Sequence, residues 1–230
     1  SELVVLGGTG QDTITTQLTK ADVMDLTGVN LLLKAEKVLF DIDSQDQQKL
    51  IFKANNLVIN AAPTEASKFY ESQNIKVVFR NIDIDVTGNF TVDATTYISN
   101  GQEVEDGPGE STSYEIDIHD EESTSDQIVD TIVDGMDDAL KTVVNAATVS
   151  VEVELDTAKV SANNVSIKTT NDISMKTGSG VIPVTVTVTD LISNITVKGD
   201  SIIDSTLDII LNAYANIIAS SDTKSSTSLP

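Results

Sequence analysis

Apolar residues in this chain recur at a spacing of eight, and that period restricts the folds open to it more than any other feature. Ile82, Phe90 and Ile98 form one such series, with Ile84 and Val92 in the same register. A second pairs Val165 with Ile173, Ile167 with Met175 and Lys168 with Lys176, almost word for word. A third aligns Ile202, Ile210 and Ile218, with Ile203, Leu211 and Ala219 beside them. Eight is even, so an alternating strand returns equivalent side chains to the same face after each repeat. Asn, Asp and Gly between the apolar pairs, as in Thr87-Gly88-Asn89, supply the bends.

One octad alone cannot enclose a core. Eight extended residues span at most roughly 26 to 29 Å, too short a loop to hold facing sheets about 10 Å apart. Two arrangements satisfy the geometry. In an intertwined homotrimer each octad forms one edge of a prism, and Ile82, Phe90, Ile98, Val165, Ile173, Ile202, Ile210 and Ile218 make the shared core. Alternatively, two octads form one turn of a single-chain solenoid. The expected fold is therefore all-β with one inserted helix: an octad-repeat β-helix or β-prism, built as the trimer in the first arrangement.

Composition agrees. Aromatics are 4% with no Trp, whereas the chain is 40% hydrophobic, so its interior is to be filled mainly by Val, Ile, Leu and Ala, as thin stacked β-architectures allow. The region 1–101 reads as N-terminal β-repeats and 149–221 as C-terminal β-repeats. Between them, 102–148 reads as an acidic excursion followed by an amphipathic helix; 222–230 reads as a tail. Val129, Ile132, Met136 and Val143 fall at helical spacing and form the expected helix interface, packed on the chain's own sheet or in a three-stranded coiled coil.

The formal charge is −22, and no Lys or Arg lies between Asn81 and Leu140, where 17 acidic residues fall. Nucleic acid is not an expected partner, because phosphate binding needs clustered Lys and Arg. No run of eighteen apolar residues exists, so insertion of the chain into a membrane is not expected. The absence of cysteine removes disulfides, thiolate nucleophiles and Cys-based metal sites.

Catalytic signatures are missing: there is no Gly-x-Ser-x-Gly elbow, no phosphate loop and no dinucleotide fingerprint, and the sole histidine, His119, sits in an acidic run. The chain is read as a non-enzyme. Gly7 to Thr15 matches a calcium-binding nonapeptide in which Asp12 would be the side-chain ligand, but a single copy reads first as a tight turn. Calcium at Asp12 is the one candidate cofactor.

The blocks Asn164 to Thr177, Leu207 to Ala219 and Lys53 to Ala61 resemble the octad repeats of β-helical spike proteins from contractile phage tails and related injection systems. That resemblance implies a structural component of a virion tail, baseplate spike or injection apparatus, acting as a rigid oligomeric element beside other structural proteins of the assembly. An oligonucleotide-fold domain, a lysozyme-like domain and a tip His-x-His are absent, which points to one component rather than a complete puncturing device. The alternative is an extracellular filament or surface-layer subunit, with strand exchange between neighbours and acidic loops taking calcium.

Overall fold

The computed structural model describes residues 1–8, 11–16, 23–41, 49–63, 73–99, 142–177 and 184–221. Those residues are all-β. Fourteen strands run β1 Glu2–Leu6, β2 Thr13–Thr15, β3 Val23–Lys34, β4 Lys37–Asp41, β5 Leu50–Ala61, β6 Gln73–Arg80, β7 Ile82–Val86 and β8 Asn89–Ser99. They continue as β9 Thr142–Asp156, β10 Lys159–Ala162, β11 Asn164–Thr177, β12 Val184–Lys198, β13 Ile202–Ser205 and β14 Ile209–Ser221. Every pairing between them is parallel.

Two sheets result. The five-stranded sheet has the order β12-β9-β6-β4-β2. The nine-stranded sheet bends into two legs, because β3 and β5 are long enough to serve both. One leg stacks residues 23–26, residues 50–54, β7, β10 and β13; the other stacks β1, residues 30–34, residues 57–61, β8, β11 and β14. The chain visits the five-stranded sheet, the first leg and the second leg in turn, and each circuit lies beside the one before.

In-register stacking lines up the interior. Leu3, Leu31, Leu57, Phe90, Val165 and Ile209 form one inward row through six strands, and Val5, Leu33, Ile59, Val92, Ile167 and Leu211 form the next. The rows are dry in the middle of the stack, where Leu57, Ile59, Phe90, Val92 and Ile167 are fully buried. Four of the five phenylalanines meet inside: Phe79 stacks on Phe40 with ring centres 5.5 Å apart and lies 5.4 Å from Phe90, and Phe40 meets Phe52 edge-on at 5.7 Å. These rings come from the five-stranded sheet and both legs, so a single chain encloses its own core. The enclosing role that the trimeric arrangement gives to partner strands is filled here by successive circuits.

The octad itself has a different meaning from the one expected. Ile82 and Phe90 are both buried, but they sit on β7 and β8, so eight residues carry the chain from one leg to the other within a circuit. Layer-to-layer neighbours such as Phe90 and Val165 are separated by unequal lengths of chain. Within the single chain, Ile202 and Ile210 fall on the outward phase of their strands, in register with Lys159 and Ser166 on the outer face. The inward residues are Ile203 beside Val160 and Ile209 beside Val165. Adjacent isoleucines left the phase of alternation open, and pairing chose the other one. Ile98, Ile173 and Ile218 lie in β8, β11 and β14, with Ile98 paired to Ile173.

Among the described residues there is no helix. Val129, Ile132 and Met136 lie outside those residues. Val143 does not sit on a helix: Thr142, Val143 and Val144 open strand β9, a β-branched run that favours extended backbone, and Val143 pairs with Thr185. The two β-repeat regions form one stack, since β8 pairs with β11 and β6 with β9.

Candidate functional site

What the fold displays is a set of polar ladders running along the stack. The first lies at the bend between the legs. On four strands an asparagine precedes an apolar-any-apolar triplet, inside β3 and β5 and at the start of β8 and β11: Asn30 to Leu33, Asn56 to Ile59, Asn89 to Val92 and Asn164 to Ile167. Asn56 Nδ2 donates to Asn30 Oδ1 at 2.7 Å, the Asn89 amide donates to Asn56 Oδ1 at 2.7 Å, and Asn164 Nδ2 donates to Asn89 Oδ1 at 2.9 Å. Asparagine suits this place because one carboxamide both donates and accepts, so each can satisfy the layer above and the layer below. Asn55 Nδ2 adds a second donor to Asn30 Oδ1.

Gly88 is required beside this ladder. A Cβ there would run into the Asn56 carboxamide oxygen and come within 2.8 Å of the Asn55 carbonyl oxygen. Gly88→Ala is therefore expected to destabilise the chain by about 1–3 kcal/mol, read as a drop in urea midpoint. An unchanged midpoint would mean that the ladder shifts freely.

A second ladder crosses the outer face of the five-stranded sheet. Asp41, Arg80, Asp156 and Lys198 are in register on β4, β6, β9 and β12, giving alternating charges along the stack. Arg80 contacts Asp41 at 2.8 Å, Glu154 at 3.0 Å and Asp156 at 3.3 Å, and Lys198 reaches Glu154 at 3.0 Å. Burial pushes the Glu154 carboxyl up, but hydrogen bonds from Lys198 and Arg80 outweigh it and hold its pKa below the ordinary carboxylate value. Burial likewise opposes the Arg80 charge and is outweighed by Glu154, Asp41 and Asp156.

The folded-state pKa of Glu154 is depressed, so its contribution is present above the unfolded carboxyl pKa and is lost as pH falls through the folded value. Arg80 is partly exposed, and after solvent screening Arg80→Met is expected to cost about 1 kcal/mol at neutral pH. That deficit should shrink in acid below the usual carboxylate range and in about 1 M salt. Denaturant titrations at both pH values and both salt levels check it; a deficit indifferent to either would refute an electrostatic origin.

A third polar group is interior. Asn171, fully buried on β11, donates through Nδ2 to the carbonyls of Val149 at 3.0 Å and Ile192 at 3.2 Å, and its Oδ1 accepts from Thr96 Oγ1 at 2.9 Å. It ties the second leg to two consecutive strands of the opposite sheet.

The calcium candidate lies near the other end. Asp12 directly precedes β2; its backbone amide donates to Glu36 Oε2 at 2.9 Å, and its Oδ2 has no hydrogen-bond partner among the described residues. Gly7 is needed there because a Cβ would sit 2.8 Å from the Asp12 Cβ. Among the described residues no three or more His, Cys, Asp or Glu are grouped so as to hold a metal ion. His119 lies outside those residues.

The sequence reading passed over both outer ladders. The four asparagine-led triplets were the available signal for the first, but their unequal spacing hides them from a search for a fixed period. Comparison with protein-family models, with curated proteins and with solved structures returns no match for this chain.

Proposed function

We propose that this chain is a β-helix serving as a rigid, non-catalytic structural element of a spike or fibre. The observation that carries the reading is the pair of inward apolar rows running unbroken through six strands, flanked by the asparagine and charge ladders. Such a stack has its backbone hydrogen bonds and its side-chain ladders aligned along one axis, so deformation along that axis must break many bonds together. Placement in a virion tail, baseplate or injection apparatus is supported by the octad resemblance. A filament or surface-layer subunit is the second reading, favoured by the strand edges left unpaired among the described residues at both ends of the stack. In either case self-association joins finished units rather than completing an interior.

Immuno-electron microscopy of the producing cells and their particles, with antibody against the purified chain, tests the placement. Label along spikes or tails of injection particles supports the first reading and label along surface filaments supports the second. Label confined to the cell interior, or turnover of a polysaccharide by the purified chain, would reject the structural role.

A further inference from the structure

The count of strands per circuit is uneven, and the odd strand is informative. β2 with β3, β4 with β5, β6 to β8, β9 to β11 and β12 to β14 each make a full circuit of the five-stranded sheet and both legs. β1 alone belongs to no circuit. It lies on the second leg against residues 30–34, in the place that the final strand of a preceding circuit would occupy. The final strand of the last described circuit is β14, which pairs with β11 on one side and has no partner strand among the described residues on the other.

The two strands also match residue by residue. Carrying the register through the stack sets Leu3 in the row of Ile209, Val4 in the row of Ile210 and Val5 in the row of Leu211. One position earlier, Glu2 pairs with Asn30, and Asp208 stands just ahead of Ile209, so both end strands carry an acid where the four strands between them carry asparagine. Glu2-Leu-Val-Val5 is thus a short copy of Asp208-Ile-Ile-Leu211. β1 is weakly held: it is five residues long, pairs only with β3 among the described residues, leaves Leu3 44% and Leu6 63% exposed, and is followed by Gly7 and Gly8. At the other end Ile209, Leu211 and Ile217 are each about half exposed, with no layer over them among the described residues.

The geometry points to strand exchange between copies of this chain: β14 of one copy displaces β1 of the next and pairs with its residues 30–34. The occupant is a second copy because β14 has the direction, the inward row and the leading acid of the strand it replaces. With β1 displaced, the five full circuits of one copy continue into the five of the next on all three faces, whereas end-on stacking with β1 retained leaves two faces one strand short. The contact is heterologous and does not close, so it generates a linear array. Among the described residues the longest column holds six strands, about 24 Å at roughly 4.8 Å per strand. This inference rests on the structural reading above and supplies its mode of assembly.

The absence of native cysteine allows a direct test in the full chain. Ile210, Leu32 and Val4 share one outward row, so a chain bearing Ile210→Cys is mixed with a chain bearing either Leu32→Cys or Val4→Cys and oxidised. Exchange places Ile210→Cys beside Leu32→Cys, and the expected result is a disulfide-linked band at twice the chain mass in that mixture, several-fold stronger than in the Val4→Cys mixture. It should strengthen with salt, because each copy carries −22. Removing residues 1–8 should further increase assembly of the otherwise unaltered chain, measured by light scattering. A dominant band with Val4→Cys would show end-on stacking without exchange and overturn the proposal. Monomers at every concentration and salt level would overturn it as well. Both failures leave the microscopy of the preceding section untouched, so the assembly mode and the structural role fall separately.

Discussion

Phe79→Ala is expected to lower unfolding stability by about 3–5 kcal/mol, a large part of the roughly 5–15 kcal/mol typical of a folded domain. Phe79 is fully buried, stacks on Phe40 of its own sheet and leans on Phe90 of the second leg, while Phe40 carries the cluster on to Phe52 of the first leg. A parallel stack relaxes poorly around a void, because each strand is fixed in register by neighbours on both sides, so the cavity term should add to the lost transfer energy. Guanidinium titration should show a lower midpoint with an unchanged slope. Leu207→Ala, at a residue 70% exposed, is the control and should stay within about 0.5 kcal/mol. A loss below about 1 kcal/mol for Phe79→Ala would mean that this aromatic cluster is not the centre of the core.

Asn171→Asp is expected to be comparably severe at neutral pH, costing more than about 3 kcal/mol, although the side chain barely changes in size. The substitution replaces a donor that serves two carbonyls by a carboxylate oxygen that repels both, in a fully buried place. Burial and the facing carbonyls raise the folded-state pKa of the new carboxyl above its unfolded value. The sign follows: the deficit is smallest below the unfolded carboxyl pKa and grows as pH rises toward the folded value, by up to about 1.4 kcal/mol per pH unit. Comparing the midpoints of the variant and the native chain at acid and neutral pH measures this. A deficit that is constant, or larger in acid, would show that Asn171 does not donate to Val149 and Ile192.

Legibility varied from strand to strand for identifiable reasons. Ile82, Ile84, Phe90 and Val92 could be placed inside because each is flanked by polar residues, which leaves one phase of alternation. Ile202-Ile203 and Ile209-Ile210-Leu211 offer two phases, and only pairing with Lys159, Val160 and Val165 selected Ile203, Ile209 and Leu211 as inward. Val143 suited a helical stripe and an alternating strand alike, and pairing with β12 decided for the strand.

The ladders divide in the same way. Asn30, Asn56, Asn89 and Asn164 carry a local signature, since each precedes an apolar-any-apolar triplet. Arg80 carries none: its partners Asp41, Glu154 and Asp156 come from other circuits, and nothing near Arg80 in the chain foretells them.

By itself the sequence determined the strand-forming segments, the bends between them and the even period that keeps inside apart from outside, because alternation and turn chemistry act between near neighbours. The tertiary structure decided which residues are stacked on which, which of two apolar faces is buried, and that one chain suffices to enclose the core. Those outcomes depend on register between strands separated by loops of unequal length, and local chemistry does not encode that register.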